Sequence, residues 1–175
     1  MVIVLYNCFD WIGYHFARQL LHRGHEVIGV DEIDSEKKEE LYLYVGRNSH
    51  FQYFTSAEQR LNHCHECEEE VHVLIDRSGV EVKQKDRSIE TAEIPALYGE
   101  WMEINCEEIE TIDDLQFWII QHQAVYIEDF VEDMISIIEG RKESLKIERE
   151  GGGEQPKEIL EKIWNIHLKG GEFLY

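Results

Sequence analysis

The sequence predicts an α/β fold, an open parallel sheet with helices on both faces followed by a reduced C-terminal subdomain. Three observations carry the prediction. Short apolar runs alternate with amphipathic stretches as far as residue 76 in the order β-α-β-α-β-α-β, as parallel strands joined by helical crossovers require. The second run, Val27-Ile28-Gly29-Val30, is apolar on both faces, as in a strand covered on two sides. The first helix repeats Ile12, Phe16 and Leu20 at i, i+4 spacing with Ala17 and Leu21 beside them, a stripe suited to packing on a sheet.

Taken in order, Val2 to Tyr6 is the first strand, Asn7 to Gly13 a turn, and Tyr14 to Arg23 the body of the first helix. Gly24 ends that helix, where the backbone commonly turns left-handed. After the second strand, Asp34 or Ser35 is placed to cap a helix running to about Val45, with Leu41, Tyr44 and Val45 inward and Gly46 at its end. Phe51 to Phe54 reads as a third strand, Ser56 to about Glu69 as a helix, and Val71 to Ile75 as a fourth strand. Val80 to Lys83 alternates as a short exposed strand or hairpin does, and Thr91 to Tyr98 reads as a strand entering a loop at Gly99. Asp113 or Asp114 is placed to cap a helix through Leu115, Trp118 and Ile119. Glu128 to Glu139 is strongly amphipathic, with Phe130, Met134, Ile137 and Ile138 inward. Leu145 to Ile147 reads as an edge strand. Pro156 suits the first turn of a last helix that buries Ile159, Leu160, Ile163 and Trp164. Residues 1–175 thus read as a single domain, with 1–76 its regularly alternating half and 77–175 a shortened remainder.

Composition narrows the function classes. Seventeen basic residues against 37 acidic ones give a net charge of −20, which argues against nucleic acid and anionic membrane as partners. The runs Glu68-Glu69-Glu70 and Glu107-Glu108 read as solvated faces. No stretch approaches the roughly 18 to 20 apolar residues of a membrane span. Four cysteines without a targeting segment fit reduced thiols in the cytoplasm. His63-Cys64-His65-Glu66-Cys67 offers two thiolates and neighbouring imidazoles for zinc. A structural site needs further ligands, however, and no second C-x-x-C or H-x-x-x-H exists; His50, His72 or Cys106 would have to complete it through the fold. His15 and His122 read as surface or packing residues.

The opening βαβ unit, with Asp31 closing its second strand, has the layout of a Rossmann-like dinucleotide site. Ile12-Gly13-Tyr14-His15 and Arg23-Gly24-His25-Glu26-Val27-Ile28-Gly29-Val30-Asp31 resemble the corresponding stretch of the extended short-chain dehydrogenase/reductase family, the NAD-dependent sugar epimerases and dehydratases. In the same order, Ile94 to Met102 is similar to that family's R-x-P-x-x-Y-G-P-W stretch near the nucleotide-sugar pocket, and Val125 to Glu132 to its Y-V-D-D-V-x-E. Leu145 to Trp164 is similar to its late strand, glycine turn and helix. The resemblance implies a site for NAD(P) formed by Asn7, Phe9, Asp10, Trp11, Ile12, Gly13 and Asp31, and a sugar pocket touching Tyr98 and Trp101.

The departures decide the expected function. The family's catalytic Tyr is followed four residues later by a Lys, and no lysine here has a tyrosine in that place; Tyr14-x-x-x-Arg18 is the nearest pattern. The segment that carries the pair is missing between Asp76 and Glu93. Of the three motif glycines, only the third, Gly13, is kept. Asn7 stands at the first and tolerates a left-handed backbone. Asp10 stands at the second, where its Cβ enters the approach path of a pyrophosphate and its carboxylate repels one. Its oxygens are also expected to cap the helix and occupy the amides that would hold phosphate.

The expectation is therefore a degenerate epimerase/dehydratase-like protein without dehydrogenase chemistry and with no catalytic residue or cofactor assigned. It would act as a binding or interaction protein, with at most weak affinity for a nucleotide or nucleotide sugar, and with a protein partner or a second copy as the other candidate ligand. The alternatives are an active NAD(P)-dependent nucleotide-sugar epimerase or dehydratase with a rearranged site, and a zinc-stabilised structural module built on Cys64, Cys67 and His63.

Overall fold

A computed structural model describes residues 1–64, 69–76, 79–85, 87–105, 108–145 and 156–168. The chain forms two compact units, one of Met1–Ile94 with Val131–Leu145 and one of Pro95–Phe130 with Lys146–Tyr175.

The first unit is α/β and Rossmann-like. Its strands are β1 (Val2–Tyr6), β2 (Glu26–Val30), β3 (Phe51–Phe54), β4 (Val71–Ile75), β5 (Val80–Gln84) and β6 (Arg87–Ala92), in the order β3-β2-β1-β4-β5-β6. The first four are parallel, and β5 and β6 add antiparallel. The central strand β1 has Ile3, Val4 and Leu5 fully buried, which is why it reads as a continuous apolar run. Helix α1 (Trp11–His22) packs on β1 and β2 through the predicted stripe, with Phe16, Ala17 and Leu20 fully buried. On one face of the sheet Val4, Ile28 and Val30 form a cluster joined by Val2, Tyr6 and Phe54.

Several elements differ from expectation. Val80 to Lys83 is in a hairpin, as one of the two readings had it, but it is not exposed: β5 is an interior strand of the main sheet, with Val80 and Val82 fully buried. The hairpin that places it is closed by Asp76, whose Oδ1 accepts from the Gly79 amide at 3.1 Å while its own amide donates to the Gly79 carbonyl. Strand β6 ends at Ala92, so the predicted strand from Thr91 to Tyr98 divides between two units. Helix α2 (Glu36–Val45) is capped by Ser35, one of the two expected caps, but Tyr44, expected inward, is 55 % exposed. Helix α3 (Ala57–His63) stops short of Glu69. Glu70 does not belong to a solvated face: it is buried and pairs with the equally buried Arg60 of α3. Glu69 and Glu108 are exposed, whereas Glu68 and Glu107 lie outside the described residues. Leu145 is not in a strand, and the rest of the predicted edge strand, residues 146–147, is likewise outside them.

The second unit holds β7 (Leu97–Tyr98) parallel to β8 (Val125–Tyr126), with helices α4 (Ile112–His122) and α6 (Lys157–Leu168). Helix α5 (Ile127–Ile138) begins in this unit and runs into the first, and its predicted inward residues Phe130, Met134, Ile137 and Ile138 are all buried. Tyr98, Ile104, Ile109, Leu115, Ile119, Leu160 and Ile163 make the core of the second unit. The cap of α4 is Thr111, whose hydroxyl accepts from the Asp114 amide while the Asp114 carboxylate accepts from the Thr111 amide, a reciprocal capping box. Among the described residues no helix is long and apolar enough to cross a membrane.

Candidate functional site

In an open parallel sheet, ligands bind beyond the carboxyl ends of the strands, where successive connections diverge to opposite sides. The order β3-β2-β1-β4 puts that point at the end of β1, and the turn Asn7 to Asp10 lies there.

Asn7 has φ of 55° and takes the left-handed role of the first motif glycine. It also stitches three strands together. Its amide donates to the Val30 carbonyl at 3.0 Å, its side-chain Nδ2 to the Ile75 carbonyl at 2.6 Å, and its own carbonyl accepts from the Asp10 amide at 3.2 Å. Gly13 keeps the packing role: a Cβ there would lie 2.1 Å from the Asn7 carbonyl oxygen, so only glycine lets α1 approach the turn. Gly29 has a matching role from β2, since its Cβ would meet Cys8 Sγ and the Phe51 ring, each at 2.7 Å. Cys8 is fully buried; burial pushes its thiol up, and the Asp31 charge adds to the effect. Phe9 is buried against the rings of Tyr42, Phe51 and Tyr53 and anchors the turn from beneath. Trp11 and Ile12, in the first turn of α1, are half-buried.

Asp10 departs from expectation. Its backbone is the N-cap of α1, but its side chain makes no cap hydrogen bond. The carboxylate is 53 % exposed and lies 3.4 Å from Lys38 Nζ. An ammonium within reach holds the carboxylate to one side, and the first-turn amides of α1 are left uncapped by it.

Asp31, at the end of β2, is engaged within the protein. Its side chain is only 3 % exposed. Oδ2 accepts from the Phe9 amide at 2.8 Å; Oδ1 accepts from the Glu32 amide at 2.8 Å and from Lys38 Nζ at 2.8 Å. Three of a carboxylate's roughly four acceptor positions are therefore filled from within the protein. Sequence reasoning passed over Lys38. Its only signal was the i, i+4 spacing from Asp34, whose carboxylate is 3.5 Å from the ammonium. Burial works against the Lys38 charge, but the hydrogen bond to Asp31 and the charges of Asp31, Asp10 and Asp34 outweigh it and raise its pKa. The cluster sets three carboxylates against one ammonium, an unfavourable field for a diphosphate.

The phrase Arg23-Gly24-His25 serves packing. Arg23 pairs with Glu132 and with Glu139, the latter at 2.8 Å, and His25 Nε2 hydrogen-bonds Glu139 at 2.8 Å, which ties the end of α1 to α5. His15 is a packing residue, 1 % exposed. His122 donates to the Trp118 carbonyl and stacks on its ring.

Tyr98 lies in the core of the second unit with its ring 5.4 Å from that of Tyr126, and burial together with the Asp129 charge pushes its hydroxyl up to about 12. Trp101 is half-buried, with φ of 69°. The same unit joins a tyrosine, a lysine and an acid that no spacing rule connects. Tyr126 donates to Glu100 (3.1 and 2.9 Å to its two oxygens), and Lys162 Nζ lies 2.5 Å from Glu100 Oε1. Burial alone would raise the Glu100 carboxyl, but Lys162, the backbone and Tyr126 together hold it below its ordinary value. Tyrosine and lysine here both serve a buried carboxylate, and the phenol's proton is already engaged.

Of the weak zinc ligands, His63 is exposed and donates from Nδ1 to the Gln59 carbonyl at 2.8 Å. Cys64 is a half-buried free thiol, and Cys67 lies outside the described residues. No family model matches the chain, and no curated protein matches it.

Proposed function

We propose that this protein is a degenerate relative of the NAD-dependent sugar epimerases and dehydratases. It acts by binding, without dehydrogenase chemistry, and has at most weak affinity for a nucleotide or nucleotide sugar. The observation that carries the reading is the Asp31 carboxylate, which a ribose diol would need and which the Phe9 amide, the Glu32 amide and Lys38 already hold. The remaining fit is divided. Asn7 and Gly13 preserve the turn, while Asp10 keeps a side chain and a charge where the backbone would have to meet a pyrophosphate. The residues present do not fit NAD(P) as a resident cofactor.

The test is calorimetric titration of NAD(H) and UDP-sugars into the full chain. The expected result is no binding tighter than about 0.1 mM, equivalent to about 5.5 kcal/mol, and a gain in dinucleotide affinity for Asp10→Gly. Micromolar NAD binding by the wild type would overturn the reading. A second reading, an active enzyme with a rearranged site, draws on the meeting of Tyr126 and Lys162 at Glu100. It requires NAD-dependent turnover of a nucleotide sugar that Tyr126→Phe abolishes.

A further inference from the structure

We propose that Lys38 decides what the end of β1 accepts: its ammonium occupies an acceptor position on Asp31 that a ribose diol would use, and so latches the site against nucleosides. The inference rests on reading the end of β1 as a nucleotide site. Local sequence places the latch. Ser35 caps α2 by accepting from the Lys38 amide at 3.3 Å, which fixes Lys38 in the first turn with its side chain free to reach the end of β2. There Nζ donates to Asp31 Oδ1 at 2.8 Å and to the Glu32 carbonyl at 3.3 Å, with Asp10 at 3.4 Å and Asp34 at 3.5 Å as further counter-charges. The two hydrogen bonds use two of the ammonium's three donors, and the Asp10 and Asp34 carboxylates add charge that holds it in place. Asp31 in turn faces inward, its other oxygen held by the turn itself. A diol that donates through both hydroxyls needs two acceptor positions, and with the Phe9 amide, the Glu32 amide and Lys38 in place only one of roughly four remains, so both hydroxyls are held only if Lys38 withdraws. Losing one charge-assisted hydrogen bond of this kind weakens binding by tenfold or more.

The choice of ligand separates the latch from a phosphate hook. Removing the ammonium frees Asp31, but it also strips Asp10 and Asp34 of their counter-ion. An uncharged nucleoside should therefore gain, whereas a nucleoside diphosphate should not. Adenosine and ADP are titrated calorimetrically into wild type, Lys38→Met, Lys38→Arg and Asp10→Gly, each first checked for cooperative unfolding. The expected result is at least tenfold tighter adenosine binding in K38M and wild-type behaviour in K38R, whose guanidinium retains the carboxylate. If K38M does not fold, Lys38→Gln takes its place with a smaller gain in the same direction. Unchanged adenosine binding in K38M, alongside an ADP gain in D10G, would leave the nucleotide reading standing and overturn the latch. Weaker ADP binding with unchanged adenosine would make Lys38 a phosphate contact and also overturn it. No binding of either ligand by any variant would overturn the nucleotide reading, and the latch with it.

Discussion

Replacing Asp31 by alanine separates a residue kept for the fold from one kept for a ligand. The substitution removes the acceptor of the Phe9 amide, which belongs to a residue 1 % exposed and has no route to water without opening the turn. A buried donor left unsatisfied costs about 1 to 3 kcal/mol. Lys38 loses its shortest contact but keeps the Glu32 carbonyl and the carboxylates of Asp10 and Asp34, so its loss is smaller, about 1 kcal/mol. The Glu32 amide can rehydrate. The expected total is a loss of about 3 kcal/mol from the first unit, as the sum of these two terms. Urea unfolding followed by far-ultraviolet circular dichroism reads the total. Native-state hydrogen exchange reads the Phe9 amide itself, which should exchange by local opening in the variant and only by larger unfolding in the wild type. A ligand contact on an otherwise indifferent surface would leave stability within about 0.5 kcal/mol. That result, with an unchanged Phe9 amide, would refute the reasoning that Asp31 serves the turn.

Two further predictions concern other parts of the chain. Gly13→Ala places a Cβ 2.1 Å from a backbone oxygen; the clash outweighs the gain of about 1 kcal/mol from alanine's helix propensity and should destabilise the first unit by about 2 kcal/mol or more, as chemical denaturation would show. The lowered Glu100 carboxyl contributes stability that is complete above the unfolded value of about 4.3 and is lost as pH falls through the lower folded value. Tryptophan fluorescence, dominated by Trp101, Trp118 and Trp164 of the second unit, should therefore show a steeper acid loss in wild type than in Glu100→Gln.

The parts of this fold legible in the sequence are those whose signal is local. Phe16, Ala17 and Leu20 announce a sheet-facing helix because helical spacing alone brings them together. Ile3 to Leu5 announce a central strand because no polar residue interrupts them. The roles of Asn7 and Gly13 were legible because a positive φ and a close helix approach restrict residue type at a single position. The boundaries that failed depend on partners distant in sequence. The inward alternation of β5 becomes burial only once β4 and β6 flank it. Glu70 looks like one of three solvated acids until Arg60, ten residues earlier, folds back over it.

The candidate site divides in the same way. Sequence by itself determined the α/β class, the turn at the end of β1, the residue types that let α1 approach it, and the absence of a Tyr-x-x-x-Lys pair, because each is a property of spacing along one chain. Only the tertiary structure decided what the charged groups do. It turned Asp10 away from the helix amides toward Lys38, spent the Asp31 carboxylate on the Phe9 amide and the same lysine, and joined Tyr126 and Lys162 at Glu100. The physical reason is that a side-chain charge takes its meaning from whatever lies within about 4 Å of it, and in this protein those neighbours come from other elements of the fold.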